Sequence, residues 1–346
     1  MTPLLWQALI ACEVSPIKGR ALLKELGPCG DEGLDLLQKS PFLSNAERAR
    51  LEKLNEPALR DAIRQGAKVV SVREYPETLC AWPDNPIGIF AWGDWTVANS
   101  PAIGIVGTRG ATTYGKAVAT KFAEAFAHSG VTVVSGGALG IDAAAHKGAI
   151  SAGGHTLAVL ASGIDRVYPA LHAGLFRQIR DGHGCLVSQF ACGTKPDYFR
   201  FLIRNQLIAA LSKAIVVIEA PERSGAISTA LRANELGRQV FVVPSNIENT
   251  NFRGSHALIR DGATLVDHPD QVLGALDITL SRPVTKEVEV SDSSKLILNA
   301  LSTSPLAVEF IVERTGLEMN ELMSELTMLE IDGHVIRDAG GYAVKP

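Results

Sequence analysis

Two glycine-rich turns hold the residues of this sequence that are best suited to bind a ligand. Their members are Gly107, Thr108, Arg109 and Gly110 in the first turn, and Ser135, Gly136 and Gly137 in the second. Each turn follows an apolar stretch, which places both at the carboxyl edge of a parallel sheet, where open α/β sheets bind their ligands. Backbone N–H groups at such turns bind anions, and an arginine adds a planar set of donors that suits phosphate. The turns therefore indicate a phosphate-binding site.

The two turns differ from the common nucleotide-binding motifs. Thr108 and Arg109 occupy positions where the dinucleotide motif G-x-G-x-x-G needs close backbone approach, and no Walker A sequence occurs. The segment 131–135 is followed by Gly136 and not by an acidic residue that would hold a ribose, which argues against NAD. Glycines that only turn the chain remain an alternative for each loop alone. An arginine on one loop facing a second Gly-Gly loop favours anion binding.

A third segment, 199–206, interleaves aromatic and cationic residues at the start of a predicted helix. Phe199 and Phe201 alternate with Arg200 and Arg204. This combination suits single-stranded nucleic acid, because bases stack on the rings while the cations hold the backbone. A phenylalanine in the core with arginines on a solvated helix face is the alternative. The neighbouring glycine turns favour base stacking.

Candidate nucleophiles and bases are scattered along the chain. The serines are Ser135, Ser188, Ser224 and Ser255, and the histidines are His146, His155 and His256. Neither G-x-S-x-G nor H-E-x-x-H occurs, so we predict no catalytic residue and no metal site. His146 follows Asp142 by four residues and shares its helix face. The pair is either catalytic or, as we favour, a hydrogen-bonded histidine packed beneath the second glycine turn.

The composition is typical of a globular protein from a reducing compartment. The chain has 346 residues, 46% of them hydrophobic, and a formal net charge of −4, which leaves room only for a local basic groove. Five cysteines show no C-x-x-C pairing, so neither a disulfide framework nor a zinc site is indicated. We expect a cytoplasmic protein, because the sequence shows no signal peptide and no apolar run of ~20 residues that would span a membrane.

Alternating strand and helix patterns predict a parallel α/β sheet in the middle of the chain. The candidate strands are 68–72, 102–106, 131–135, 155–161, 185–188, 214–220, 239–243 and 263–266. Their near-continuous apolar character predicts burial on both faces. The Pro- and Trp-rich segment 75–95 is interpreted as a strap packed against this sheet.

The flanking regions predict two smaller modules. Helical periodicity over 1–65 indicates a bundle similar to helix-hairpin-helix or SAM domains, with Asn45 as a helix cap. The extended Rossmann-like core is predicted over 66–275 and a linker over 276–290. Three helical patterns followed by a hairpin predict a winged helix over 291–346. Its third helix is rich in glutamate, so we predict a protein-protein or regulatory role there instead of duplex binding.

Six segments, in this order, resemble the DNA-processing protein A family, also called DprA or Smf. They are VGTR at 106–109, SGGALGIDAAAH at 135–146, TLAVLASGIDRVYP at 156–169, FLIRNQLIAALS at 201–212, SGAIST at 224–229 and GSHALIRDGA at 254–263. The resemblance implies a homodimer without a cofactor that binds single-stranded DNA and loads the RecA recombinase during natural transformation. It also implies that the glycine turns and their arginine grip phosphates, while Phe201 receives a base beside Arg204.

The predicted DNA-binding set combines the turns with the segment that the resemblance highlights. Its members are Gly107, Thr108, Arg109, Gly110, Ser135, Gly136, Gly137, Lys195, Arg200, Phe201, Arg204, Asn205, Ser224 and Gly225. One departure concerns Tyr198, since family members often carry a lysine three residues before the phenylalanine. Lys195 or Arg200 is the candidate substitute. An alternative function is a Rossmann-type nucleotide hydrolase related to phosphoribohydrolases, although the run G-G-x-G-T-x-x-E that it needs is absent.

Overall fold

The computed structural model describes five stretches of the chain. They are residues 1–279, 291–302, 305–331, 334–338 and 340–344. Contacts divide the chain into two compact units, Met1–Ser281 and Arg282–Pro346. Most of the linker predicted at 276–290 lies outside the described residues.

The first unit begins with a group of short helices. They are α1 (Pro3–Ala11), α2 (Pro16–Leu26), α3 (Gly33–Lys39), α4 (Asn45–Leu51) and α5 (Glu56–Arg64). Their starts follow from side-chain caps, which satisfy free N–H groups at helix N-termini. Ser44, one residue before the expected cap, begins α4 with a capping box that includes Glu47. Leu5, Leu9 and Leu22 are fully buried in the core of this helical group.

In the described part of the chain, nine strands form one sheet. The strands are β1 (Ala67–Ser71), β2 (Gly88–Gly93), β3 (Ala102–Val106), β4 (Thr132–Ser135), β5 (Thr156–Val159), β6 (Gly184–Ser188), β7 (Ala214–Val217), β8 (Gln239–Val242) and β9 (Thr264–Leu265). Their order is β1-β2-β6-β5-β4-β3-β7-β8-β9. The seven strands from β6 to β9 in this order are parallel, which confirms the predicted α/β core.

The Pro- and Trp-rich segment is a strand for part of its length, which corrects its interpretation as a strap. β2 lies between β1 and β6 and is antiparallel to both. Trp95 is buried, and its indole N–H donates to the carbonyl of Glu74. The expected tryptophan packing therefore occurs directly after β2, where Trp95 joins the core against the sheet.

Helices cover both faces of the sheet because its strands are apolar on both sides. The helices are α6 (Glu77–Cys80), α7 (Thr113–His128), α8 (Ile141–Ser151), α9 (Ala173–Gln178), α10 (Tyr198–Leu211), α11 (Gly225–Glu235), α12 (Arg253–Arg260) and α13 (Pro269–Ala275). One core joins Ile103 and Ile105 to Phe122 of α7, and the other joins Val217 to Leu207 of α10. This two-sided burial is typical of parallel sheets.

The second unit has three helices and a hairpin among its described residues. They are α14 (Asp292–Ala300), α15 (Val308–Thr315), α16 (Met319–Ile331), β10 (Val335–Asp338) and β11 (Gly341–Val344). The antiparallel pair β10–β11 follows the third helix, as expected for a winged helix. In the described ranges of both units, we find no helix with the length and apolarity that crossing a membrane requires.

Candidate functional site

The candidate site lies where the strand order reverses. β3 pairs with β4 on one side and with β7 on the other, so the loops that follow β3 and β7 diverge. Such switch points leave a crevice at the carboxyl edge of the sheet. A cavity of about 920 Å³ opens there. Its wall includes Gly107, Thr108, Arg109, Tyr168, Tyr198, Phe201, Arg204, Asn205, Arg223, Ser224 and Gly225.

Arg109 and Phe201 are in direct contact at this cavity. The Arg109 guanidinium carbon lies 4.5 Å from the centre of the Phe201 ring, within the range of a cation–π interaction. Tyr168 approaches the same ring, with centroids 6.0 Å apart. Arg109 is exposed and Phe201 is half-buried. The cavity therefore presents a cation and an aromatic face at one point.

The loop that carries Arg109 is held in place by Glu219, which lies two residues after the end of β7. The Glu219 carboxyl group is fully buried and accepts hydrogen bonds from the Thr112 amide at 3.1 Å and the Thr112 hydroxyl at 2.8 Å. The Thr108 amide donates to the Glu219 carbonyl at 2.7 Å. Asn251 bridges the Glu219 carboxyl group, at 2.7 Å, and the Gly110 carbonyl. These bonds fix both ends of the loop.

The close approach of the Arg109 loop to its neighbours explains one of its glycines. A β-carbon at Gly107 would collide with the side chain of Ile141 and the carbonyl oxygen of Glu219. Only a residue without a side chain lets the loop pass this close to α8. Gly107 therefore shapes the site through packing, while Thr108 and Arg109 form part of the cavity wall.

The second glycine turn differs from its expected role. Ser135, Gly136 and Gly137 are buried, and the amides of Gly136 and Ala138 both donate to the Asp142 carboxyl group, at 3.2 and 3.3 Å. The Ser135 hydroxyl donates to the Ile105 carbonyl. The turn does bind an anionic group, but that group belongs to the protein. We therefore assign these residues to supporting the cavity.

Arg204 and Asn205 also support the site from within. Arg204 is buried and donates to the carbonyls of Gly136 and Val159, and its Nε donates to the Asn205 side chain at 3.1 Å. The Asn205 amide in turn donates to the Gly225 carbonyl at 3.2 Å. This chain of bonds joins the second glycine turn to the loop after β7.

Burial changes the acidity of the charged pair beneath the cavity. Burial and, to a smaller extent, the charge of Arg109 lower the pKa of Arg204 to about 10, although Asp142 acts to raise it. Burial likewise raises the pKa of Asp142, while Arg204 and the amides of the turn lower it. Arg204 remains protonated at neutral pH, and the neighbouring Asp142 opposes its positive charge.

Lys195, Arg200 and Gly110 lie outside the cavity wall. Arg200 forms an ion pair with Asp197 and lies 3.5 Å from the Glu13 carboxylate, so it faces the N-terminal helices. Lys195 and Gly110 are exposed beside the cavity. The alternation of rings and cations in the sequence could not show that Arg200 faces the N-terminal helices, because neighbouring residues on a helix point in directions about 100° apart.

The sequence interpretation missed several residues that the structure brings to the site. Tyr168 and Arg223 line the cavity, while Glu219 and Asn251 hold the first loop. A signal existed for Glu219, since a carboxylate that directly follows five apolar residues is rarely buried without partners. Ser224 lies at the cavity as expected, and its hydroxyl caps α11 by accepting from the Ala226 amide.

His146 is a structural residue packed near the second glycine turn. It is fully buried, and its Nδ1 lies 2.6 Å from the Thr156 hydroxyl, which itself donates to the Val133 carbonyl. Burial, with smaller contributions from the charges of His172 and Arg204, lowers the pKa of His146 to about 3, so the ring is neutral. Among the described residues, no three metal-ligating side chains form a group.

Two protein-family models and a known protein match this chain. The family model for DNA recombination-mediator protein A matches residues 67–277, and the model for the DprA winged helix domain matches 281–341. Protein Smf of Escherichia coli (strain K12) is 35% identical over 277 residues, which cover 78% of this chain and 74% of that protein.

Two solved structures share the fold. The X-ray structure of DNA processing protein A from Streptococcus pneumoniae has a TM-score of 0.66 and 28% identity, over 79% of this chain and 98% of that one. The structure of DNA processing protein A from Helicobacter pylori, described for its single-stranded DNA binding mode, has a TM-score of 0.57 and 26% identity. It covers 62% of this chain, and 98% of its own length is matched.

Proposed function

Because this chain belongs to the DNA recombination-mediator protein A family, we propose that it binds single-stranded DNA in the cavity at the β3–β7 switch point. The observation that carries this proposal is the contact between Arg109 and Phe201 at the cavity mouth. A guanidinium beside an aromatic ring matches the alternation of phosphate and base along a single strand. The single-stranded DNA binding mode described for the Helicobacter pylori protein supports the same conclusion.

The exposure of each residue decides the role that we assign to it in DNA binding. Arg109 contacts a phosphate, because it is the exposed cation on the loop that Glu219 fixes. Phe201 stacks a base, with Tyr168 beside it. Arg223 is exposed, also lines the cavity and contacts a second phosphate. Arg204 is buried, so we assign it to holding Gly136 and Asn205 in place and not to contacting the strand.

This arrangement discriminates single-stranded from duplex DNA. Stacking on Phe201 requires a base whose face is free, and duplex DNA hides both faces of each base in its own stack. We therefore expect much tighter binding of single strands at equal length. The phosphate contacts make this affinity fall as the salt concentration rises.

The proposal is tested by titrating the whole protein with single-stranded and duplex oligonucleotides of one sequence over a range of salt. The expected result is preferential binding of the single strand, with a linear fall of log affinity against log salt. Equal affinity for the duplex at every salt concentration would contradict the proposal. Release of free base from nucleoside monophosphates would instead support the hydrolase alternative.

The further role in recombination rests on the family resemblance. We propose that the protein acts in the cytoplasm as a non-enzymatic homodimer and loads the RecA recombinase onto the strand that it holds. The test is RecA-dependent ATP hydrolysis on single-stranded DNA covered by a single-strand-binding protein. Addition of this protein is expected to shorten the lag before hydrolysis begins. An unchanged lag would contradict the loading role while leaving DNA binding intact.

A further inference from the structure

Two exposed aromatic side chains, Tyr198 and Phe199, lie in the first turn of α10, and of the two only Tyr198 lines the cavity that holds Phe201. Tyr198 is 72% exposed and Phe199 is 73% exposed, and their ring centroids lie 5.8 Å apart at an interplanar angle of 78°. Phe199 and Phe201 were grouped together in the sequence, but the structure separates them. Adjacent aromatic rings with this much exposure are unusual on a globular surface and mark interaction sites.

We propose that Tyr198 and Phe199 form a second base-stacking subsite for the DNA strand that enters the Phe201 pocket. This inference rests on the proposed function and adds a subsite to it. The first argument is continuity, since Tyr198 lines the same cavity as Phe201 and precedes it by three residues, which is one helical turn. A strand that leaves Phe201 across the end of α10 meets the pair next.

The second argument is that a second groove lies next to the same part of α10. Ile203, four residues after Phe199 and on the same helix side, is 45% exposed. It lines a separate groove of about 560 Å³ together with Trp82 and Phe190. Tyr198 therefore lines the first cavity, and Ile203, on the side of α10 that carries Phe199, lines the second groove. Ring faces along this path suit successive bases, because every base has a flat apolar face.

The third argument is charge, which favours nucleic acid over a protein partner. Lys195 is exposed in the loop that leads into α10, three residues before Tyr198 in the sequence. Arg200, in contrast, is neutralised by Asp197 and lies near Glu13 on another side of the helix. A cation next to stacking platforms is the usual composition of single-strand binding grooves.

The test combines protein variants with an abasic scan of a single-stranded oligonucleotide. A series of oligonucleotides, each with one abasic nucleotide, is titrated against the wild-type protein. We expect two separate positions at which loss of the base weakens binding, by about 5-fold to 150-fold for a stacked base. In the double variant Tyr198→Ala/Phe199→Ala, sensitivity at one position disappears and the other remains. In Phe201→Ala, the pattern is reversed.

Phe42→Ala is the matched control, because Phe42 is an exposed aromatic, at 48%, in the turn between α3 and α4. It is expected to keep both sensitive positions. A wild-type scan with a single sensitive position that only Phe201→Ala removes would overturn the second subsite and leave the proposed function standing. Failure of the wild-type protein to bind any single strand would instead overturn the proposed function. A Tyr198/Phe199 variant that binds DNA normally but loses self-association would assign the pair to a protein contact and overturn the inference.

Discussion

At the scale of single residues, the proposed site depends on the contact between Arg109 and Phe201. Their separation of 4.5 Å brings a phosphate-binding group and a base-stacking group together from segments that lie far apart in the sequence. The sequence identified both side chains by type and by position at strand or helix ends. It also placed Arg204 with them, and the structure shows that Arg204 is buried beneath the cavity.

Replacing Arg109 is expected to change the electrostatic part of binding. Arg109→Ala should weaken single-strand binding and reduce the salt slope by about one, because one phosphate contact is lost. Phe201→Ala should weaken binding by roughly 1–3 kcal/mol per stacked base and leave the salt slope unchanged. Fluorescence anisotropy over a salt series measures both quantities.

Lys213→Ala is the control for this pair of variants. Lys213 is exposed and directly precedes β7, so it lies at the sheet edge opposite the cavity. Its removal takes away one positive charge and is expected to leave the affinity close to that of the wild type. If Lys213→Ala and Arg109→Ala lowered the slope equally, the effect would belong to net charge and not to the site.

His146 makes the stability of the protein depend on pH. Its pKa is about 3 in the folded protein and lies near the ordinary 6.5 in the unfolded chain, so the unfolded chain takes up a proton between these values. The free energy of unfolding therefore falls as the pH drops from about 6.5 towards 3, by up to about 1.4 kcal/mol per pH unit. His146→Gln should flatten this part of the curve.

The measurement for His146 is urea unfolding between pH 7 and pH 4 in both proteins. Asp142 and the other carboxyl groups titrate in both, so the difference between the two curves isolates the histidine. An identical pH dependence would show that the buried ring does not control acid stability.

At the scale of elements, the site is made by loops that β3 and β7 position and that Glu219 joins. Glu219→Gln keeps the shape of the side chain but turns an amide N–H₂ towards the donors of Thr112 or Asn251. One buried donor then lacks an acceptor, at a cost of about 1–3 kcal/mol. We expect lower stability, faster amide exchange in residues 108–112 and weaker DNA binding.

Glu222→Gln is the control, because Glu222 is exposed in the same loop. It should leave stability and amide exchange unchanged. Normal exchange in the Glu219 variant would mean that the Arg109 loop is held by other contacts.

The elements were predictable from the sequence where one local signal dominated. β3 begins and ends at the expected residues because its apolar run stops at a glycine. β2 was missed because Pro83 and Pro86 precede it and prolines disfavour strands, whereas antiparallel pairing with β6 stabilises it. The burial of Gly136 could not be foreseen, because it results from Asp142 and Arg204 reaching the turn from two different helices.

At the scale of the whole molecule, the chain combines an overall charge of −4 with a local cationic site. The protein-protein role expected for the acidic third helix of the second unit stays a prediction. Glu325 accepts hydrogen bonds from Ser291 and Ser294, and Glu321 accepts one from Ser293. These carboxylates stabilise the unit, and their charge disfavours the approach of duplex phosphates.

The most direct test of the central claim is photo-crosslinking of the whole protein to a single-stranded oligonucleotide that contains 5-iodouracil, followed by mass spectrometry of the adducts. The cavity at the β3–β7 switch point predicts crosslinks to Phe201 or Tyr168, which lie 6.0 Å apart between their ring centroids. Adducts found only within 1–65 or 291–344, with none in the peptides that carry these two rings, would contradict it.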